Sequence, residues 1–251
     1  MTVELFGISF EQVRLSSAVA QILDAARQGR KGIVVTPNVD HIVMIQDDAD
    51  MQRIYQNAMF RYADGMPIVW LSHLIKKSPL PERVAGSDLL IALCKQSAGT
   101  GLNLYFLGGN PGIAEKAANK LRQQYSGLHI VGTWCPPFGF EKDPEQTELI
   151  INDINSHKVD ILFIGVGAPK QEKWADANIG RLQVGPILCV GASFDFAAGT
   201  TKRAPLWIQK IGFEWVWRLA GDPGRLWKRY LVRDSRFIPL AFKEIFNSNN
   251  Q

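Results

Sequence analysis

The sequence predicts an α/β fold, a mostly parallel sheet flanked by helices with a C-terminal helical appendage. Two observations carry this expectation. Short apolar, β-branched runs recur between residues 32 and 190. They are separated by helical patterns of roughly 10–15 residues, the signature of βαβ units with right-handed crossovers. After Gly199 the strand-like runs stop and only helical patterning remains.

Gly32-Ile-Val-Val35 is the first such run. Thr36-Pro37-Asn38 stops it and offers Asn38 or Asp40 as the N-cap of a helix running through Ile42, Ile45, Ile54 and Tyr55. Phe60 to Ala63 reads as a second strand ending at Asp64-Gly65, with a helix from about Pro67 to Lys76. Asn103 to Leu107 is a strand, Gly108-Gly-Asn-Pro-Gly112 a tight turn, and Ile113 to Tyr125 an amphipathic helix. His129 to Thr133 is the next strand, and Asp143 caps a helix over Pro144 to His157. Asp160 to Ile164 runs into Gly165-Val-Gly-Ala-Pro-Lys-Gln-Glu172 and a helix to about Asn178, and Ile187 to Val190 closes the series. Beyond lie a helix from Pro205 to Ala220, a break at Gly221-Asp-Pro-Gly224 and a helix from Arg225 to about Val232. Residues 1–200 therefore read as the α/β core, with 95–102 as the candidate meeting point of two halves, and 201–251 as the appendage.

Composition excludes several classes. The chain has 251 residues, 46% hydrophobic and 21% charged, which fits a globular protein rather than a disordered one. The longest apolar run, Ile161 to Ala168, is far short of the ~18 residues that span a bilayer. Glu4 lies where a signal peptide wants basic residues, so a cytoplasmic location is expected. Cys94, Cys135 and Cys189 are odd in number and widely scattered, which argues against a disulfide framework or a zinc site. His41, His73, His129 and His157 show no metal spacing, and no metal is expected. The net charge of +4 hides an asymmetry: residues 202–251 carry +6 and residues 1–201 carry −2. The same tail holds Trp207, Trp215, Trp217 and Trp227. Basic residues beside indoles suit an anionic lipid surface or a phosphate; a helix docked through its tryptophans is the plainer alternative. No RNP, KH or zinc-knuckle pattern is present, so nucleic acid is not an expected partner.

In such sheets ligands bind beyond the carboxyl ends of the strands. That rule nominates Thr36 and Asn38, Asp64, Gly108 to Gly112, Gly165 to Glu172 and Ala192 to Asp195. Gly108, Gly109 and Asn110 precede a helix, where free N–H groups favour a phosphate, although a tight βα turn explains them equally. Gly165-Val-Gly167 begins like a dinucleotide fingerprint, but Lys170 replaces its third glycine; Lys170 and Gln171 still arrive at a helix start. No P-loop and no nucleophile elbow exists. Asp48-Ala-Asp50 matches the D-x-D of metal-dependent sugar transfer, yet inside a helix i and i+2 do not face each other, so it reads as a solvated face. Asp64, flanked by Ala63 and Gly65, is either a general base for a substrate hydroxyl or a helix cap.

Gly191-Ala-Ser-Phe-Asp-Phe-Ala-Ala-Gly-Thr-Thr-Lys-Arg-Ala-Pro205, Gly212-Phe-Glu-Trp-Val-Trp-Arg-Leu219 and Pro223-Gly-Arg-Leu-Trp-Lys-Arg-Tyr230 strongly resemble the WecG/TagA/CpsF glycosyltransferase family. So do Thr36-Pro-Asn38, Tyr62-Ala-Asp-Gly65, Arg83-Val-Ala-Gly-Ser-Asp88 and Gly165-Val-Gly-Ala-Pro-Lys-Gln-Glu172, all in order. The resemblance implies a Rossmann-like core and an inverting, metal-independent transferase that needs no cofactor. Its donor would be a UDP-sugar, and its acceptor a polyprenyl-diphosphate-linked saccharide at the inner face of the plasma membrane, in cell-surface polysaccharide assembly. The sugar would be N-acetylmannosamine, its uronic acid or glucose. The resemblance implies Asp64 as base, with Thr36 and Gln171 as further catalytic positions. It implies substrate-binding roles for Asn38, Arg83, Asp195, Arg203, Arg218, Arg225 and Arg229, beside the loop residues Gly108, Gly109, Asn110, Gly167 and Lys170. The Val39-Asp40-His41 that follows Asn38 departs from the family pattern at a place that bears on sugar choice.

Inverting transfer needs a base for the acceptor hydroxyl and positive charge for the departing diphosphate. Arg218, Arg225 and Arg229 are spaced 7 and 4 apart, so a continuous helix would put them near one face, with Pro223 and the glycines beside it expected to kink it, and guanidinium groups can stand in for a metal ion. The exposed tail would meet the membrane, or pair with a second copy where no membrane is present. A non-catalytic nucleotide-sugar-binding or membrane adaptor on the same fold is the alternative, since fold alone does not prove chemistry.

Overall fold

The computed structural model describes residues 1–249. In chain order the elements begin with β1 (Thr2–Leu5), β2 (Ile8–Glu11), α1 (Leu15–Arg27), β3 (Gly32–Val35), α2 (Val39–Asp47), α3 (Ala49–Asn57), β4 (Phe60–Arg61) and α4 (Met66–Ile75). Then come α5 (Gly86–Ser97), β5 (Asn103–Gly108), α6 (Ile113–Gln124), β6 (His129–Trp134), α7 (Pro144–Ser156), β7 (Ile161–Gly165), α8 (Lys170–Asn178) and β8 (Pro186–Cys189). The chain continues through α9 (Ser193–Ala198), α10 (Leu206–Lys210), α11 (Glu214–Gly221) and α12 (Pro223–Trp227) to a π-helical stretch, Lys228–Arg233. A short 3₁₀ turn, Asp234–Arg236, leads into α13 (Phe237–Asn249). The protein is α/β, as its periodicity predicts.

Contacts divide the chain into two compact units. One comprises residues 15–35 and 86–202. Its strands are parallel in the order β3-β8-β7-β5-β6, with Leu104 opposite Ile161 and Gly108 opposite Gly165. Strands covered on both faces read as continuous apolar runs rather than alternating ones. Ile161-Leu-Phe-Ile164 fits that rule, with all four residues fully buried. Phe106 stacks on Phe194 with ring centroids 4.9 Å apart. Each such side chain contributes about 1.5–3 kcal/mol of burial. α6 packs on α9 and α1 on α5. Asp143 caps α7 as expected, accepting from the amides of Glu145 and Gln146.

The other unit comprises residues 1–14, 36–85 and 203 onward. It opens on an antiparallel hairpin, β1 with β2, turned by Phe6 (φ 55°) and Gly7 (φ 72°). Positive φ at both central residues is the primed geometry that suits a hairpin, but Phe-Gly lacks the usual Asn-Gly signal, so the sequence conceals it. Alternate burial of Val3, Leu5, Ile8 and Phe10 holds its register.

Three expectations are corrected here. The helix expected through residues 42–55 breaks at Asp48, whose carboxylate caps α3 by accepting from the Met51 amide at 3.1 Å. Asp48 is therefore not inside a helix. The helix expected from Pro205 to Ala220 breaks into α10 and α11 around Gly212. Gly212 has φ 70°, and a Cβ on it would lie 2.5 Å from Cη2 of Trp70. The last expected helix, Arg225 to Val232, is α12 passing into the π-helical stretch.

Candidate active site

Within the unit that holds the C-terminal segment, the Asp64 loop is built on backbone. The Asp64 amide donates to the Pro37 carbonyl at 2.9 Å, and the Val84 amide to the Ala63 carbonyl at 2.8 Å. Gly65, not Asp64, occupies the N-cap of α4, with Pro67 in its first turn. Gly65 has φ 157°, and a Cβ there would stand 4.0 Å from Cβ of Asn38. The Asn38 and Asp64 loops thus lie side by side. Asn38 caps α2 through a reciprocal box: its side chain accepts from the His41 amide at 3.3 Å, and its own amide donates to His41 Nδ1 at 3.1 Å. Thr36 is nearly buried at the head of this segment.

Asp64 is part-exposed, with 27% of its side chain accessible, and its Oδ1 lies 3.9 Å from Arg83 Nη1. Arg83 reaches onward into the C-terminal segment. Its Nη1 donates to Glu214 Oε2 at 2.8 Å and its Nη2 to Gln209 Oε1 at 3.1 Å. Arg203 Nε stands 3.8 Å from the other oxygen of Glu214. Asn38, Asp64, Arg83 and Arg203 therefore converge, although they lie far apart in the chain. Gln209 and Glu214 complete the cluster and were not anticipated. A signal existed for Glu214: it is the lone acid between residues 203 and 221, in a stretch whose other charged residues are all basic.

A second cluster holds the end of the tail. Asp40, with 5% of its side chain exposed, pairs with Arg229 Nη2 at 2.9 Å and also with Arg233. Arg236 pairs with Asp47 on two hydrogen bonds, at 2.6 and 2.9 Å. Arg229, expected to face a diphosphate, thus has its guanidinium on Asp40. Arg218 lies in the last turn of α11, and the Asp222–Pro223 break separates it from α12, so no continuous helix aligns it with Arg229. The side chain of Arg225 lies outside the described residues.

The remaining expected positions gather at the strand ends of the sheet-bearing unit. A Cβ on Gly108 would lie 2.7 Å from the Gly165 carbonyl, and one on Gly165 would lie 2.7 Å from the Gly191 oxygen. Glycine is what lets these three turns touch backbone to backbone. The Gly109 amide donates to the Gly165 carbonyl at 2.9 Å, and Asn110 is exposed beyond it. Gln171, 2% exposed, accepts from the amides of Gly167 and Gly191 at 3.3 and 3.0 Å and donates to Glu172 at 2.8 Å. Its side chain therefore clamps the loops after β7 and β8, a positioning geometry. Lys170 opens α8 with its ammonium 4.6 Å from the centre of the exposed Phe138 ring. Asp195 is half-buried on α9.

Among the described residues no group of three His, Cys, Asp or Glu side chains is placed to hold a metal ion, and no helix is long and apolar enough to cross a membrane. A family model described as Glycosyl transferase WecG/TagA/CpsF family matches residues 3–251.

Proposed function

This chain belongs to the WecG/TagA/CpsF family of glycosyl transferases, and from that premise we propose an inverting transfer from a UDP-sugar to a polyprenyl-diphosphate-linked saccharide. Family membership makes it a transferase of cell-surface polysaccharide synthesis. The donor, the acceptor and the stereochemistry are our reading.

In that reading the Asp64 carboxylate removes the proton from the acceptor hydroxyl as its oxygen attacks the anomeric carbon, and UDP leaves from the opposite face. Guanidinium groups, not a divalent ion, meet the developing diphosphate charge; Arg83 and Arg203 lie in the cluster with Asp64, and Arg218 on α11 is a third candidate. In the sheet-bearing unit, Lys170 and the exposed Asn110 offer side-chain donors to a phosphate beside the turns at Gly108–Gly109 and Gly165–Gly167. Thr36 and Asn38 orient sugar hydroxyls. The exposed apolar and basic surface of the tail seats the enzyme on the inner face of the membrane.

One observation carries the proposal. Asp64 is accessible beside Arg83, which joins it to Glu214 and, through that carboxylate, to Arg203 of the C-terminal segment. Asp64→Asn is expected to lower kcat by ~10²–10⁴-fold, the span of general-base loss, with donor affinity little changed. UDP release from a panel of UDP-sugars, with and without EDTA, checks this. Near wild-type turnover in the variant would remove Asp64 from the mechanism, and inhibition by EDTA reversed by Mg²⁺ or Mn²⁺ would replace the guanidinium assignment with a metal.

A further inference from the structure

Arg83 divides its attention unequally. Its guanidinium donates into the C-terminal segment, to Glu214 at 2.8 Å and to Gln209 at 3.1 Å. Between Arg83 and Asp64 the contact is an ion pair at 3.9 Å, beyond hydrogen-bond reach. The acceptors are themselves held in place. Gln209 is 8% exposed, and its Nε2 donates to the Ala204 carbonyl at 2.7 Å, which turns its oxygen toward Arg83. Glu214 has Arg203 on its second oxygen at 3.8 Å. The side chains of Arg83 and Glu214 are 14% and 19% exposed, so solvent screens their charges only in part.

The chemistry of the alternative arrangement is plain. An arginine closed onto a carboxylate in a bidentate pair stabilises the charged form and lowers its proton affinity by about 1–3 pKa units. A base must hold the proton it removes, so an over-paired Asp64 is a poor base. Without Glu214, the carboxylate already 3.9 Å from Arg83 is that of Asp64.

We infer that Glu214 is a positioning residue for Asp64: by holding Arg83 on the tail side of the cluster, it keeps that guanidinium from closing onto the base. The inference rests on the reading of Asp64 as base given above. Its consequence is that docking of residues 209–214 and the strength of the base are one event. The charged side chains linked here include Asp64, Arg83, Glu214 and Arg203.

The test is a direct titration of the Asp64 carboxyl in the full-length protein. Carbon NMR of aspartate-labelled chain serves, with the resonance assigned by its loss in Asp64→Asn. Glu214→Gln is expected to move the Asp64 midpoint down by about 1–2 pH units, the size of a newly closed ion pair. In an Arg83→Gln background the same change is expected to move it by less than a third as much, because the effect travels through Arg83. Glu214→Asp, which keeps the charge, is expected to restore most of the wild-type midpoint. An unmoved midpoint in folded Glu214→Gln overturns the inference, and so does an equal shift with and without Arg83. Should Glu214→Gln fail to fold, Gln209→Met removes the other acceptor and must move the midpoint in the same direction. UDP release by Asp64→Asn separates the two readings: a fully active variant ends the role of Asp64 as base, whereas an inactive one with an unmoved Glu214→Gln midpoint overturns only the role of Glu214.

Discussion

Asp40 holds residues that lie 189 and 193 positions further along the chain, and its neighbours titrate accordingly. Burial, with the charge of Asp40 beside it, pushes the Asp234 carboxyl up to about 7, against the pull of Arg229 and Arg233. Burial also holds the His41 imidazole down at about 4; Asp40 opposes this, while Arg229 and Arg233 reinforce it. The signs are opposite. Asp234 keeps its proton more tightly folded than unfolded, so its contribution to stability is full below 3.8 and is lost as pH rises toward 7. His41 resists protonation when folded, so its contribution is full above 6.5 and is lost as pH falls toward 4. The two slopes oppose each other between about 4 and 6.5. Asp234→Asn is therefore expected to steepen the rise of Tm across that window and to abolish the decline just above it. Thermal unfolding against pH measures this, and superimposable profiles for variant and wild type would remove Asp234 from the balance.

Gly212 shows how one residue sets the course of an element. Its left-handed φ of 70° ends α10, and its missing Cβ lets the tail lie against Trp70 and Met66 of α4. Gly212→Ala would place a methyl 2.5 Å from Trp70 Cη2 and 3.0 Å from Met66 Cβ. The left-handed backbone and the overpacking together are expected to cost about 2–4 kcal/mol. Urea unfolding should show a lower midpoint at unchanged slope, and a midpoint within error of wild type would mean that Trp70 simply swings away. Caps behave differently from such contacts. Asn38 and Asp143 are legible as N-caps because the amides they satisfy lie two or three residues away. The Gly212 break is not legible in the same way, because its cause lies on another helix.

Across the molecule, the unit containing the tail carries most of the large exposed apolar side chains. Leu206 is 73% exposed, Trp207 64%, Phe246 66% and Leu74 70%, interleaved with the basic residues that give residues 202–251 their charge of +6. The tail is also anchored: Leu226 and Phe237 are buried, Phe237 lies 5.4 Å from the Phe6 ring, and the Ser248 hydroxyl donates to the Ile75 carbonyl at 3.0 Å. Apolar side chains outside and charge pairs within suit a surface that meets lipid without unfolding. Full-length protein is expected to co-sediment with anionic vesicles more than with neutral ones, and to release as ionic strength rises. Replacing Leu206 and Trp207 with alanine is expected to weaken that binding roughly tenfold. Equal binding to both vesicle types, unaffected by the double variant, would rule out this surface.

Features that depend on near neighbours are legible in the order of the amino acids. The apolar runs marked β3, β5, β6, β7 and β8; the Asx residues marked the starts of α2 and α7; the glycines marked the turns where backbone must approach backbone. Motif resemblance singled out Asp64 and Arg83 as residues of one site. The long-range partners emerge from packing alone: Glu214 and Gln209 on Arg83, Asp40 on Arg229 and Arg233, Trp70 against Gly212. Strand and helix periodicity and caps act over a few residues and leave their pattern in the chain, whereas an ion pair spanning 131 to 193 positions depends on how packed elements bring two side chains within a few ångströms, and distance along the chain carries no trace of that.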